Sequence, residues 1–98
     1  MARVPIDRDQ IAAFCRRHCV RKLSLFGSVL RADFGRDSDI DVLVEFEPGH
    51  VPGLAFFAMQ DELSAILGRR VDLNTPASLS PYFRGGVLAT AEVEYVSP

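Results

Sequence analysis

Several classes of protein are set aside by what this 98-residue chain lacks. It has no surplus of one charge, with 11 Lys and Arg against 13 Asp and Glu and a net charge of −2. Wholesale attraction to nucleic acid or to an acidic membrane is therefore not expected, and any nucleotide must be bound locally. Long apolar runs are missing too. Uncharged stretches such as Leu54 to Met59 fall far below the roughly 20 residues needed to span a bilayer. No apolar signal core follows Arg3 before Asp7, Arg8 and Asp9, so a cytoplasmic location is expected. Cysteine is limited to Cys15 and Cys19, which with His18 form a Cys-x-x-His-Cys run. Structural zinc takes four ligands and His50 stands alone in a Pro-Gly-rich loop, so reduced, packed thiols are expected over a zinc site. With no repeat, low-complexity tract or linker, residues 1–98 read as one domain.

What is present centres on Gly27 to Val44. From Ser38 to Val44 the residues alternate, so an extended strand would put Ile40, Val42 and Val44 on one face and Asp39, Asp41 and Leu43 on the other. At roughly 3.3 Å per residue the two aspartate Cα atoms would lie about 6.6 Å apart, close enough for their carboxylates to share an ion. An apolar strand has little reason to carry two charges unless a cation neutralises them. Carboxylate oxygen suits magnesium or manganese, which often complete their coordination with substrate phosphates. Gly27 and Ser28 follow an expected buried strand, Leu23 to Phe26, and precede a segment able to form one helical turn. Their amides and the Ser28 hydroxyl are placed to meet a phosphate, although a Gly-Ser pair alone also makes an ordinary turn. Arg31 in the next turn is open to two readings, reaching a triphosphate or pairing with Asp33 or Asp37. Asp37, Asp39 and Asp41 imitate the first ligands of a calcium loop, but Val42 and Pro48 stand where that loop needs Gly and Glu.

The run from Gly27-Ser28 to Ser38-Asp39-Ile40-Asp41 resembles the signature of the DNA polymerase β-like nucleotidyltransferase superfamily. It is most similar to the small stand-alone members, the minimal nucleotidyltransferases. The resemblance covers nearly the whole chain, including Gly68-Arg69-Arg70-Val71-Asp72-Leu73 and Leu79-Ser80-Pro81-Tyr82. Leu30 stands where many members have Ala, and Ala32 where many have Gly. The resemblance implies nucleotidyl transfer, of AMP from ATP to a hydroxyl, with Asp39 and Asp41 bridging two Mg²⁺ ions (or Mn²⁺). By the same likeness Gly27, Ser28 and Ser38 belong to the nucleotide-binding signature. Asp72, on a neighbouring strand, would complete the metal site and help deprotonate the acceptor. From the residues alone, Asp72 also reads as an exposed edge-strand residue or a partner of Arg69 or Arg70.

The remaining elements follow from local signals. Asp7 with Gln10 marks a helix start, with Ile6 and Ile11 as its staple, and the helix should run to about His18 with Ile11, Phe14 and Cys15 buried. A second helix is expected from Leu54 to Leu67, ended by Gly68, with Phe56, Met59, Leu63, Ile66 and Leu67 inward and Phe57 off that stripe. Arg70 to Asn74 reads as a strand. Ser80 and Pro81 then open a last helix to about Ala91, weakened by Gly85 and Gly86, and Glu92 to Val96 is extended. The order describes an α/β domain whose mixed sheet of three to four strands is flanked by helices, with the acidic strand in the middle.

Relatives that act on nucleic acid or antibiotics carry further domains. A bare core should take its acceptor from another protein, and many minimal nucleotidyltransferases act in this way as antitoxins, some adding AMP to a tyrosine of a HEPN-type ribonuclease toxin. The toxin's R-x4-6-H pattern is absent here, because neither His18 nor His50 has an Arg at that spacing. The chain would be the antitoxin half. Two alternatives are an antitoxin that neutralises by binding alone and an antibiotic nucleotidyltransferase.

Overall fold

The computed structural model describes residues 5–31, 35 and 37–98. Helix α1 (Arg8–Arg17) starts where the Asp7 carboxylate accepts the Asp9 and Gln10 amides at 3.1 and 3.2 Å. The Gln10 side chain donates back to Asp7 at 2.8 Å, which closes the cap. Ile11, Phe14 and Cys15 form the buried stripe, as the 3.6-residue spacing requires. Burial pushes the Cys15 thiol up to about 12, so it is packed and unreactive. At the helix end Cys19 turns the chain with φ +56°, and its carbonyl accepts the Glu47 N–H at 2.9 Å.

Strand β1 (Val20–Phe26) begins earlier than its apolar core suggests, because Val20 pairs with Phe46 and the ladder carries Arg21 and Lys22 along. Strand β2 (Ile40–Phe46) correspondingly starts and ends two residues later than Ser38 to Val44. Asp39 thus lies just outside the ladder. Helix α2 (Ala55–Leu67) ends at Gly68, whose φ of +69° is the left-handed cap, and strand β3 (Val71–Asn74) follows. Because β2 and β3 are parallel, a crossover must join them, and α2 supplies it. The four-stranded sheet has the order β3-β2-β1-β4 and is mixed, with the acidic strand β2 inside.

One sheet face holds the core. Leu23, Leu25, Ile40, Val42, Val44, Val71 and Leu73 pack there with Ile11, Phe14, Met59 and Leu63, while Phe56, Ile66 and Leu67 close its margin. On the opposite face the register partners Ser24 and Leu43 are also buried, so that face is covered in part. Helix α3 (Pro81–Thr90) connects the β3 edge to the β4 edge. The Ser80 hydroxyl oxygen accepts the Tyr82 amide at 3.3 Å, and the helix continues unbroken through Gly85 and Gly86. Arg84 fastens it to the preceding 3₁₀ turn (Pro76–Ser78), donating to the Pro76 and Leu79 carbonyls at 2.8 and 3.1 Å. No residue of α3 is buried.

Strand β4 (Glu92–Val96) runs antiparallel to β1. Its register jumps between Tyr95, opposite Leu23, and Val93, opposite Ser24, which leaves Glu94 as a bulge residue. Glu94 is buried beneath α1, where Arg8 Nη2 lies 3.2 Å from its carboxylate. Burial raises its pKa above the usual carboxylate range, Glu92 adds to the rise and Arg8 opposes it. Among the described residues no helix is long and apolar enough to cross a membrane.

Candidate active site

The end of β1 and the start of β2 meet with Phe26 opposite Asp41. Gly27 follows with φ +77°, a left-handed conformation that suits glycine. Space makes a second demand. A Cβ on Gly27 would sit 2.3 Å from Asp41 Oδ2 and 3.2 Å from its Cγ, well inside contact distance. The glycine therefore lets the backbone of the turn lie against the acidic side chain. Gly27 opens a single 3₁₀ turn (Gly27–Leu30), which the Arg31 amide closes by donating to the Ser28 carbonyl at 2.9 Å. Val29, fully buried, anchors the turn to the core.

Register also decides where Asp72 falls. In the parallel ladder Asp41 is the Cα partner of Asp72, as Ile40 is of Val71 and Val42 of Leu73. Side chains on paired residues leave the same face, so the two carboxylates stand side by side on the face away from the core. Asp41 is half-buried and Asp72 exposed on the edge strand. The Asp41 pKa is raised, first by burial, then by the charges of Asp72 and Asp39; Arg31 pulls the other way. Three charged groups thus act on one carboxyl group. Asp39 itself is exposed and precedes the strand. Among the described residues no three His, Cys, Asp or Glu side chains form a ready cluster for an ion. The donor chemistry nevertheless fits a hard divalent cation, since positive charge at the crowded pair would relieve the repulsion that lifts Asp41.

Ser38 and the loop before β2 are held from outside. The Ser38 hydroxyl oxygen accepts the Gly35 N–H at 3.1 Å, and the Ser38 amide donates to the Gly35 carbonyl at 3.1 Å. Arg69 then clamps both residues, its Nη2 donating to the Gly35 and Ser38 carbonyls at 2.6 and 2.9 Å. Sequence reasoning gave Arg69 no such role. Its partners are backbone carbonyls, and only the Gly68-Arg69-Arg70 run before β3 marks the place. Arg31 is exposed beside the site. Its alternative partner Asp33 and the substituted position Ala32 lie outside the described residues.

Residues 8–91 match the profile of the nucleotidyltransferase domain family. The chain belongs to that family. The match spans the Gly27 turn, the acidic strand and Asp72. Among its relatives is the protein adenylyltransferase MntA of Thermococcus cleftensis, 41% identical over 83 residues that cover 82% of this chain and 78% of the relative. A solved structure of an inferred minimal nucleotidyltransferase is 37% identical and superimposes with a TM-score of 0.71, covering 86% of this chain and 85% of the other. The nucleotidyltransferase fold is seen again in a complex of a tri-AMPylated Shewanella oneidensis HEPN toxin with its MNT antitoxin. That match has 22% identity and a TM-score of 0.66, covering 92% of this chain and 70% of the other.

Proposed function

We propose that this nucleotidyltransferase domain is a protein adenylyltransferase and antitoxin, which moves AMP from ATP to a hydroxyl, that of a tyrosine, on a HEPN-type ribonuclease toxin. The observation that carries the reading is the Asp41–Asp72 register pair beneath the Gly27 turn, with Asp39 at its mouth. The named relative is a protein adenylyltransferase, and the antitoxin fold of the toxin complex is similar. Asp39, Asp41 and Asp72 would hold Mg²⁺, two ions by the family pattern. Bound there, the metal supplies charge neutralisation for the triphosphate and the leaving pyrophosphate.

The protein's own groups do the rest. The Gly27 and Ser28 amides and the Ser28 hydroxyl hold phosphate oxygens, and Arg31 adds a cation next to them. Ser38 keeps the loop in register and can donate its hydroxyl proton to the nucleotide. The acceptor oxygen attacks the α-phosphorus as the bond to pyrophosphate breaks, and an Asp72 carboxylate oxygen takes the hydroxyl proton. Exposure on an edge strand leaves Asp72 open to an acceptor carried by a second protein.

The test is to incubate the chain with ATP, magnesium and the toxin, and to weigh the toxin. Wild-type protein should raise its mass by one or more AMP units, while Asp41→Asn binds it without modification. If both proteins neutralise the toxin equally and no mass changes, binding alone is the mechanism.

A further inference from the structure

A cleft of about 550 Å³ separates α3 from the Gly27 turn, with Phe26, Gly27 and Leu30 on one wall and Phe83, Gly86 and Val87 on the other. The α3 wall is one helical face, since 83, 86 and 87 are spaced as i, i+3 and i+4. Among the described residues none covers that face: Phe83 is 68% exposed, and nothing on α3 is buried. Two largely apolar walls with a gap between them make a slot for a flat, largely apolar group. The cleft adjoins the acidic site through the turn itself: Gly27 and Arg31 line it, and a Cβ on Gly27 would meet Asp41 Oδ2. A ligand with its phosphates at the Gly27 turn can therefore reach this slot with its next group.

We propose that the cleft receives the nucleoside end of the donor nucleotide, with the base stacked on Phe83 and the width of the slot set by Gly86. The proposal rests on the nucleotidyl-transfer reading above. Gly86 makes it testable, because a Cβ added there meets nothing within 4 Å. A larger side chain can thus fill the slot without pushing on the protein.

Calorimetric titrations of the full chain, with magnesium present, should compare ATP with inorganic tripolyphosphate for the parent, Gly86→Leu and Phe83→Ala. Base–aromatic stacking contributes enough that ATP should bind about ten- to hundredfold more weakly to both variants. Tripolyphosphate affinity should stay within about twofold of the parent, and Gly86→Leu should melt no lower, since leucine is the better helix former. Unchanged ATP affinity in Gly86→Leu overturns the proposal. So does an equal loss of ATP and tripolyphosphate binding, which would mean that the turn itself had moved. Failure of the transfer reading looks different: the parent would bind ATP with this pattern and yet add no AMP to a toxin.

Discussion

Gly27→Ala tests the centre of the argument, because the same methyl group meets two separate obstacles. The first is conformational. At φ +77° an alanine pays about 1–2 kcal/mol for the left-handed backbone. The second is steric, since the new Cβ would lie 2.3 Å from Asp41 Oδ2. Forcing an extra carbon into a packed neighbour costs about 1–3 kcal/mol, so the predicted total is roughly 2–5 kcal/mol. The two parts separate in an Asp41→Ala background. There the remaining Asp41 Cβ is 3.5 Å from the added methyl, an ordinary contact, and only the backbone cost should survive. Urea denaturation of the four proteins in this cycle measures both. Transfer should suffer more than stability: the Asp41 carboxylate has to withdraw by about 1 Å, a misplacement that lowers rates on the order of a hundredfold. Equal destabilisation in the two backgrounds would refute the clash. AMP transfer by Gly27→Ala at the parental rate would refute the placement of Asp41 in the reaction.

Three further outcomes are expected. Because the folded-state pKa of Asp41 is raised, the folded protein binds that proton more tightly than the unfolded chain, and the stability it contributes at acid pH is lost as pH rises through the folded value. Without divalent metal, Asp41→Asn should therefore be more stable than the parent at neutral pH, with the gap closing toward about pH 4 in urea melts; a parent that is more stable throughout would make the carboxylate structural. Arg69→Ala removes the clamp on the Gly35 and Ser38 carbonyls and should cost about 1.5–3 kcal/mol in a thermal melt, with a larger fall in transfer than a surface Arg21→Ala control; equal effects of the two changes would deny Arg69 its role. Cys19→Gly relieves a left-handed residue and should raise stability by up to about 1 kcal/mol, whereas a lower melting temperature would mean that the side chain's contacts outweigh the strain.

The parts of the fold that local chemistry controls were legible in the sequence. Asp7 and Ser80 cap helices where their side chains allow, and Gly68 ends one where its φ is needed. The alternation of Ile40, Val42 and Val44 correctly marked the buried face, and the resemblance singled out Asp72, which the ladder sets opposite Asp41. Pairing decided the rest. Val20 to Lys22 carries two charges and joins β1 only because Phe46 and Glu45 stand opposite, which no window of sequence displays. That Asp41 neighbours Asp72 is a statement about register, and that Gly27 must be glycine for want of space is a statement about a residue fourteen positions away. Arg69 was read only as a candidate partner of Asp72, because a guanidinium bonded to carbonyls leaves no pattern of side-chain types. Glu94, in an alternating Glu-Val-Glu run, reads as solvated until a bulge turns it inward.

That bulge has a consequence for solubility. Strand β4 is an outermost strand, and a regular one would offer its unpaired amides and carbonyls as a template on which another chain could build. Val93 and Val96 are 42% and 59% exposed along it and would make such a template adhesive. The extra residue at Glu94 interrupts the repeat, and the carboxylate it carries points inward beside Arg8, where a regular strand would place an apolar side chain. The rim of the sheet is thus guarded against self-assembly by a charge that faces inward. Replacing Glu94 with leucine should leave the monomer at least as stable, since a paired buried charge is seldom worth more than an apolar side chain that fits. Light scattering on a concentrated solution would then show whether the guard had been removed, and a variant that stays monomeric would show that the strand needed none.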